Sequence, residues 1–204
     1  MLPGRLLDRS LSRFPPPVRT ALDWVVTVTV AVVVVLAFQA EVAKPYRIPT
    51  ASMEPTLHCA APTAGCRAQF ADRVIANRLA YRFRSPERGE IVVFRAPARA
   101  AQACNGGGDY VKRIVGLPGE TITMRRGHVL VDGRPLDEST YVRTPAQRGD
   151  QTGSWHVPAA RYLLLGDNRP ASCDSRAFGP VARDALVGPV EARYWPPRRI
   201  DAVG

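Results

Sequence analysis

Tyr110-Val111-Lys112-Arg113-Ile114-Val115 is the stretch on which the fold turns. It is rich in β-branched and aromatic residues and runs into Gly116-Leu117-Pro118-Gly119, so it reads as a strand ending in a turn. Side chains alternate across a strand, so Lys112 and Arg113 project to opposite faces and one of the two cations must enter the fold. The choice matters chemically. A guanidinium keeps its proton in a protein, whereas a desolvated lysine can lose its proton and act as a general base. The chain has 28 basic residues, and only Lys44 and Lys112 are lysines. The alternative for Lys112 is an ammonium that snorkels to the surface.

Working outward, Ile91–Phe94, Gly127–Val131 and Tyr162–Leu165 are further short apolar runs with strand character. Asp132-Gly133 is a hairpin signal. No sustained helical period occurs beyond residue 46, apart from a short turn expected near Ser52–Leu57. The part 41–204 is therefore expected to be mainly β, with a reduced insertion at about 121–160. The Ala-, Gly-, Gln- and Pro-rich stretches 96–108 and 144–154 read as surface excursions. Gly106–Gly108 lacks the following Lys and Ser/Thr of a phosphate loop and reads as a flexible turn.

Upstream, Ala21–Ala40 reads ALDWVVTVTVAVVVVLAFQA. Twenty helical residues span ~30 Å, the hydrocarbon thickness of a bilayer. Residues 1–20 carry Arg5, Arg9, Arg13 and Arg19, while only Lys44 and Arg47 follow closely. The expectation is a basic cytoplasmic tail at 1–20, a transmembrane helix at 21–40 with the lipid bilayer as partner, and a domain outside the cell. A cleaved signal peptide is the alternative, but its basic region here is over twenty residues long. The net charge of +10 is scattered along the chain, which argues against a nucleic-acid partner.

The four cysteines fit an oxidising compartment. Cys59 and Cys66 form the likeliest bridge, across a Pro- and Gly-containing loop. Cys104 and Cys173 are either a second bridge or two free thiols. Without Cys-x-x-Cys or paired histidines, no metal site is expected. His58, His128 and His156 read as lone surface residues, and no Gly-x-Ser-x-Gly elbow accompanies them. Ser52 lies between Pro49 and Pro55, which stiffen its loop, and Thr50 adds a hydroxyl two residues earlier.

Four segments then occur in order: Ser52-Met53-x-Pro55-Thr56-Leu57, Arg88–Phe94, Tyr110–Glu120 and Gly166–Arg176. Together with the ending Trp195-Pro196-Pro197-Arg198-Arg199-Ile200, they resemble the boxes of bacterial type I signal peptidase, from the apolar segment to residue 200. The resemblance implies a signal-peptidase-like or repressor-protease-like β-fold behind one N-terminal transmembrane helix. It also implies a serine endopeptidase of the bacterial cytoplasmic membrane that removes signal peptides after Ala-x-Ala-type sites, with no cofactor.

On these residues it makes Ser52 the nucleophile, Lys112 the general base and Ser172 the hydroxyl that orients the base. Thr50 and the Ser52 amide form the oxyanion hole. Asp174 and Arg176 are a structural pair, and Asp167 and Asn168 form the turn that carries it. Tyr46, Ile48, Pro49, Met53, Tyr110 and Val111 line the substrate pockets. Bringing lysine from ~10.4 to neutrality takes about 4 kcal/mol, which burial can supply.

A self-cleaving repressor-type protease shares the dyad but would carry a DNA-binding helix-turn-helix. A membrane-tethered, non-catalytic β-domain that binds an extended polypeptide would need neither Ser52 nor Lys112.

Overall fold

A computed structural model describes residues 15–104 and 106–203. The chain divides into two compact units, Met1–Val42 and Ala43–Gly204. In the first, helix α1 runs from Pro16 to Val42. Its two leading prolines suit a first helical turn, where amides lack intrahelical partners in any case. Trp24, Val25, Val28, Val30, Val32–Val35 and Leu36 are exposed along it. Among the described residues no helix is long and apolar enough to cross a membrane. Residues 1–14 of the expected tail lie outside the described residues, as do the side chains of 37–40 in the expected span.

The second unit is mainly β. Its strands are β1 (Ala43–Arg47), β2 (Arg73–Asn77), β3 (Ile91–Arg95), β4 (Asp109–Gly116), β5 (Thr121–Arg125), β6 (His128–Val131), β7 (Arg134–Pro135), β8 (Gly153–His156), β9 (Arg161–Leu165), β10 (Val181–Ala182), β11 (Leu186–Trp195) and β12 (Asp201–Ala202). The larger sheet has the order β1-β2-β11-β3-β4-β9-β10, with β12 on β11, and all its pairs are antiparallel. The smaller has the order β7-β6-β5-β8.

The central strands are apolar on both faces. Ile91, Val92, Val93 and Phe94 are buried, as are Leu163, Leu164 and Leu165. This is why those runs read as continuous rather than alternating. Val92 and Phe94 join Ile114, Tyr162, Leu164 and Phe178 on one side, while Ile91 and Val93 join Ile48, Met53, Leu57 and Val74 on the other. Ile122, Met124 and Val129 tie the small sheet to Val115, Leu163 and Leu165. The Asp132-Gly133 turn has φ of 47° and 80°, the doubly positive geometry of a tight hairpin.

The structure adds to the sequence reading at several points. The excursion at 96–108 contains helix α2 (Ala98–Cys104), and the one at 144–154 contains helix α3 (Pro145–Arg148), with a Thr144/Gln147 capping box. β11, the longest strand, was not legible because Gly188 and Pro189 interrupt it. Pro189 sits beside a register shift, where a missing amide is tolerated. A side chain at Gly188 would meet the Asn77 carbonyl at 1.9 Å, so only glycine lets β2 and β11 approach. The turn expected near Ser52 is a single 3-10 turn, Ala51–Met53.

Candidate active site

The site forms where the Ala51–Met53 turn meets β4 and the Gly166–Asp174 segment. Ala51, Ser52 and Met53 are all buried, so the turn is held by packing as well as by its prolines. Asn168 grips it from the other side. Its backbone amide donates to the Ser52 carbonyl and its side-chain amide to the Ala51 carbonyl, each at 3.1 Å. Gly166 makes this approach possible. A methyl there would lie 2.2 Å from Ser172 Oγ and 2.5 Å from the Ser52 carbonyl oxygen.

Lys112 Nζ donates to Ser52 Oγ at 2.7 Å and to the Val111 carbonyl at 3.0 Å. Both side chains are buried, Lys112 at 5% and Ser52 at 6% exposure. Burial lowers the Lys112 amine from its ordinary value to about 8, helped by Arg176 and opposed by the fields of Asp174 and Asp167. The Tyr110 ring lies 5.7 Å away and adds to the apolar surroundings. Thr50 Oγ1 lies 3.3 Å from Ser52 Oγ.

Ser172 donates its hydroxyl hydrogen to Asp174 Oδ2 at 2.7 Å, beside the Lys112 site. Asp174 is itself clamped by Arg176, through Nε at 2.7 Å and Nη2 at 2.8 Å, and accepts from the Gly166 amide at 3.0 Å.

Arg113 is buried as well, so both cations of the strand enter the fold, on opposite faces. Its guanidinium takes Asp167 in a bidentate pair at 2.8 and 2.7 Å, donates to the Gly89 carbonyl at 2.6 Å, and stacks 4.2 Å from the Tyr141 ring centre. Thr56 Oγ1 donates to the same Asp167 at 2.6 Å, which ties the nucleophile loop to this pair.

Tyr46, Ile48, Pro49, Met53, Tyr110 and Val111 all line one cleft of about 440 Å³ with Thr50, Ser52 and Lys112. Ile48 and Met53 are also core residues, so only their edges reach the cleft. Sequence reasoning overlooked Cys104, Gly106 and Cys173, which line it too. The cysteine spacing carried no signal of that wall. Both bridges are closed, Cys59–Cys66 and Cys104–Cys173. The histidines are not all unpartnered: His58 Nδ1 meets the Glu54 carboxylate, and His128 meets Arg148.

Comparison with known proteins agrees on one family. The model of signal peptidase, peptidase S26, matches residues 21–195. The probable signal peptidase I-2 of Synechocystis is 39% identical over 95% of this chain and 82% of that protein. Signal peptidase I of Leptolyngbya laminosa is 36% identical over 90% and 84%. Signal peptidase IB of Staphylococcus aureus is 33% identical over 86% and 90%. A crystal structure of a signal peptidase I from Enterococcus faecalis, 29% identical, covers 52% of this chain and 97% of that one at a TM-score of 0.42. On the family match and the curated relatives, the chain belongs to the signal peptidase family, peptidase S26, and is a hydrolase of that family.

Proposed function

We propose that this chain is a membrane-anchored serine endopeptidase that cleaves N-terminal signal peptides from exported preproteins after Ala-x-Ala-type sites. The observation that carries the reading is the buried 2.7 Å contact between Lys112 Nζ and Ser52 Oγ on the wall of an open cleft. A serine hydroxyl is a weak nucleophile until a base takes its proton. With the amine neutral, the contact reverses and Ser52 Oγ–H donates to the Lys112 lone pair. Attack forms the Oγ–carbon bond, and the proton moves to Lys112. Thr50 and the Ser52 amide hold the oxyanion. Lys112 then protonates the departing amine, which is the new N-terminus of the mature protein. Water, deprotonated by Lys112, hydrolyses the ester and frees the signal peptide. Ser172, hydrogen-bonded to the Asp174 carboxylate whose charge acts on Lys112, orients the base. No metal or cofactor takes part.

The substrate binds as an extended strand beside Tyr46–Ser52. β1 closes the order of the larger sheet and pairs with β2 on one side, which supports strand addition on the other. Tyr46, Ile48, Pro49, Met53, Tyr110 and Val111 shape shallow pockets for alanine. Residues 21–40 anchor the chain with its N-terminus in the cytoplasm and the catalytic unit outside; what supports this is the apolar run in the sequence and the exposure of Trp24, Val25, Val28, Val30, Val32–Val35 and Leu36, not a described helix of spanning length. The test is to incubate the purified full chain with an Ala-x-Ala preprotein and sequence the new N-terminus. Cleavage directly after the second alanine, absent in Ser52→Ala, is expected. No cleavage, or equal cleavage by the variant, overturns the proposal.

A further inference from the structure

Between β3 and β4 the chain leaves the sheet after Arg95 and returns at Asp109. The base of this excursion is closed by the Ala96 amide, which donates to the Gly108 carbonyl at 2.8 Å. Ala100, fully buried, fastens α2 to the core. At the far end Cys104 packs against the same core but is only partly buried. Beyond Cys104 lie Gly106, Gly107 and Gly108, the residue type that loses most backbone freedom when fixed. Yet Gly106 and Gly107 form part of the cleft wall. A methyl at Gly106 would stand 3.1 Å from the Tyr110 hydroxyl, so this wall rests against a residue of the cleft itself. A seven-residue helix is too short to hold its own end in water. A glycine wall keeps one shape only if it is tied down.

The tie is the Cys104–Cys173 bridge, which joins residues 69 apart in sequence at a Cα–Cα distance of 5.8 Å. Both cysteines line the cleft. Cys173 also stands between Ser172 and Asp174, whose side chains bond each other at 2.7 Å beside the Lys112 site.

We infer that the Cys104–Cys173 disulfide is a specificity-determining wall of the substrate cleft: it fixes Gly106 and Gly107 at the cleft wall and limits the residues admitted to small ones. This inference rests on the peptidase reading. It assigns the bridge a role in substrate fit, beyond closing a long loop.

The test compares the full-length wild type with Cys104→Ser/Cys173→Ser on peptides carrying Ala, Val or Leu at the two small-residue positions. Loss of the tie is expected to raise KM for the alanine peptide about tenfold and to change kcat by less than about threefold. The preference in kcat/KM for alanine over leucine should fall about tenfold. Amide exchange in 96–108 should accelerate, with exchange in β3 and β4 retained. Unchanged KM and unchanged preference overturn the inference. If the double variant does not fold, the wild type is reduced with a phosphine under conditions in which peptide mapping by mass shows Cys104–Cys173 open and the buried Cys59–Cys66 bridge still closed, and the same shifts are required. A wild type that cuts no preprotein sinks the peptidase reading instead, while the exchange measurement still reports on the tether.

Discussion

Lys112 and Arg113 are neighbours on β4, both cationic and both buried, and the fold treats them in opposite ways. Arg113 meets a carboxylate in bidentate geometry, a backbone carbonyl and an aromatic face. Lys112 meets a hydroxyl and a carbonyl, with its nearest carboxylates acting only at a distance. A buried charge without a partner is costly, so the amine sheds its proton more readily, while a saturated guanidinium stays charged. One face of the strand is arranged for proton transfer and the other for cohesion. The dyad is therefore defined as much by the ion pair withheld from Lys112 as by the contact it makes.

The largest effect falls on the Lys112 face. Lys112→Arg keeps the charge but removes the basicity, and preprotein cleavage should drop on the order of 10⁴-fold or more, like Ser52→Ala, with circular dichroism unchanged. Residual cutting by the arginine variant at a tenth of the normal rate would break the assignment.

On the other face, Arg113→Met leaves Asp167 buried and unpaired. It should cost about 3–5 kcal/mol of stability in denaturant titration. In whatever fraction stays folded, the uncompensated Asp167 charge favours the Lys112 ammonium, so the rising limb of the pH–rate profile should move to higher pH. In the parent enzyme kcat/KM should climb as pH passes through about 8 and flatten above it, because only the neutral amine accepts the serine proton. A limb that stays put in the Arg113 variant argues that the two faces are electrically independent.

Thr50→Val, which keeps shape and removes the hydroxyl, should lower kcat about 10²–10³-fold with little change in KM. Retained activity in Thr50→Val together with a loss in Thr50→Ser would show that the methyl, and not the hydroxyl, matters.

The smallest effect is thermodynamic. Unfolded lysine keeps its proton up to its ordinary 10.5, whereas the folded amine releases it near 8, so wild-type stability rises as pH goes from about 8 to 10.5. Lys112→Met removes that penalty. It should be more stable than the parent by up to about 3 kcal/mol below pH 8, with the gap closing by pH 10.5.

Legibility followed the range of the forces involved. Strands β3, β4 and β9 were readable because burial on both faces leaves unbroken β-branched and aromatic runs, β6 because its short apolar run leads into a turn, and the Asp132-Gly133 hairpin because its positive φ demands those residues. β11 and the edge strand β1 were not. Gly188 and Pro189 look like breakers until the register shift and the close β2 neighbour are seen, and Pro45 hides an edge that needs fewer amides.

The same division holds at the site. The residue types of the dyad, the stiffened serine loop and the choice of lysine over arginine are properties of single side chains and of spacing, and the sequence by itself determined them. That Ser172 binds Asp174, that Arg113 is matched by Asp167, and that Cys104 and Cys173 close one wall of the cleft depend on groups far apart in the chain meeting at hydrogen-bonding or bonding distance. Only the tertiary structure decided those, because charge pairing and desolvation act over a few ångströms of space and carry no signature in sequence order.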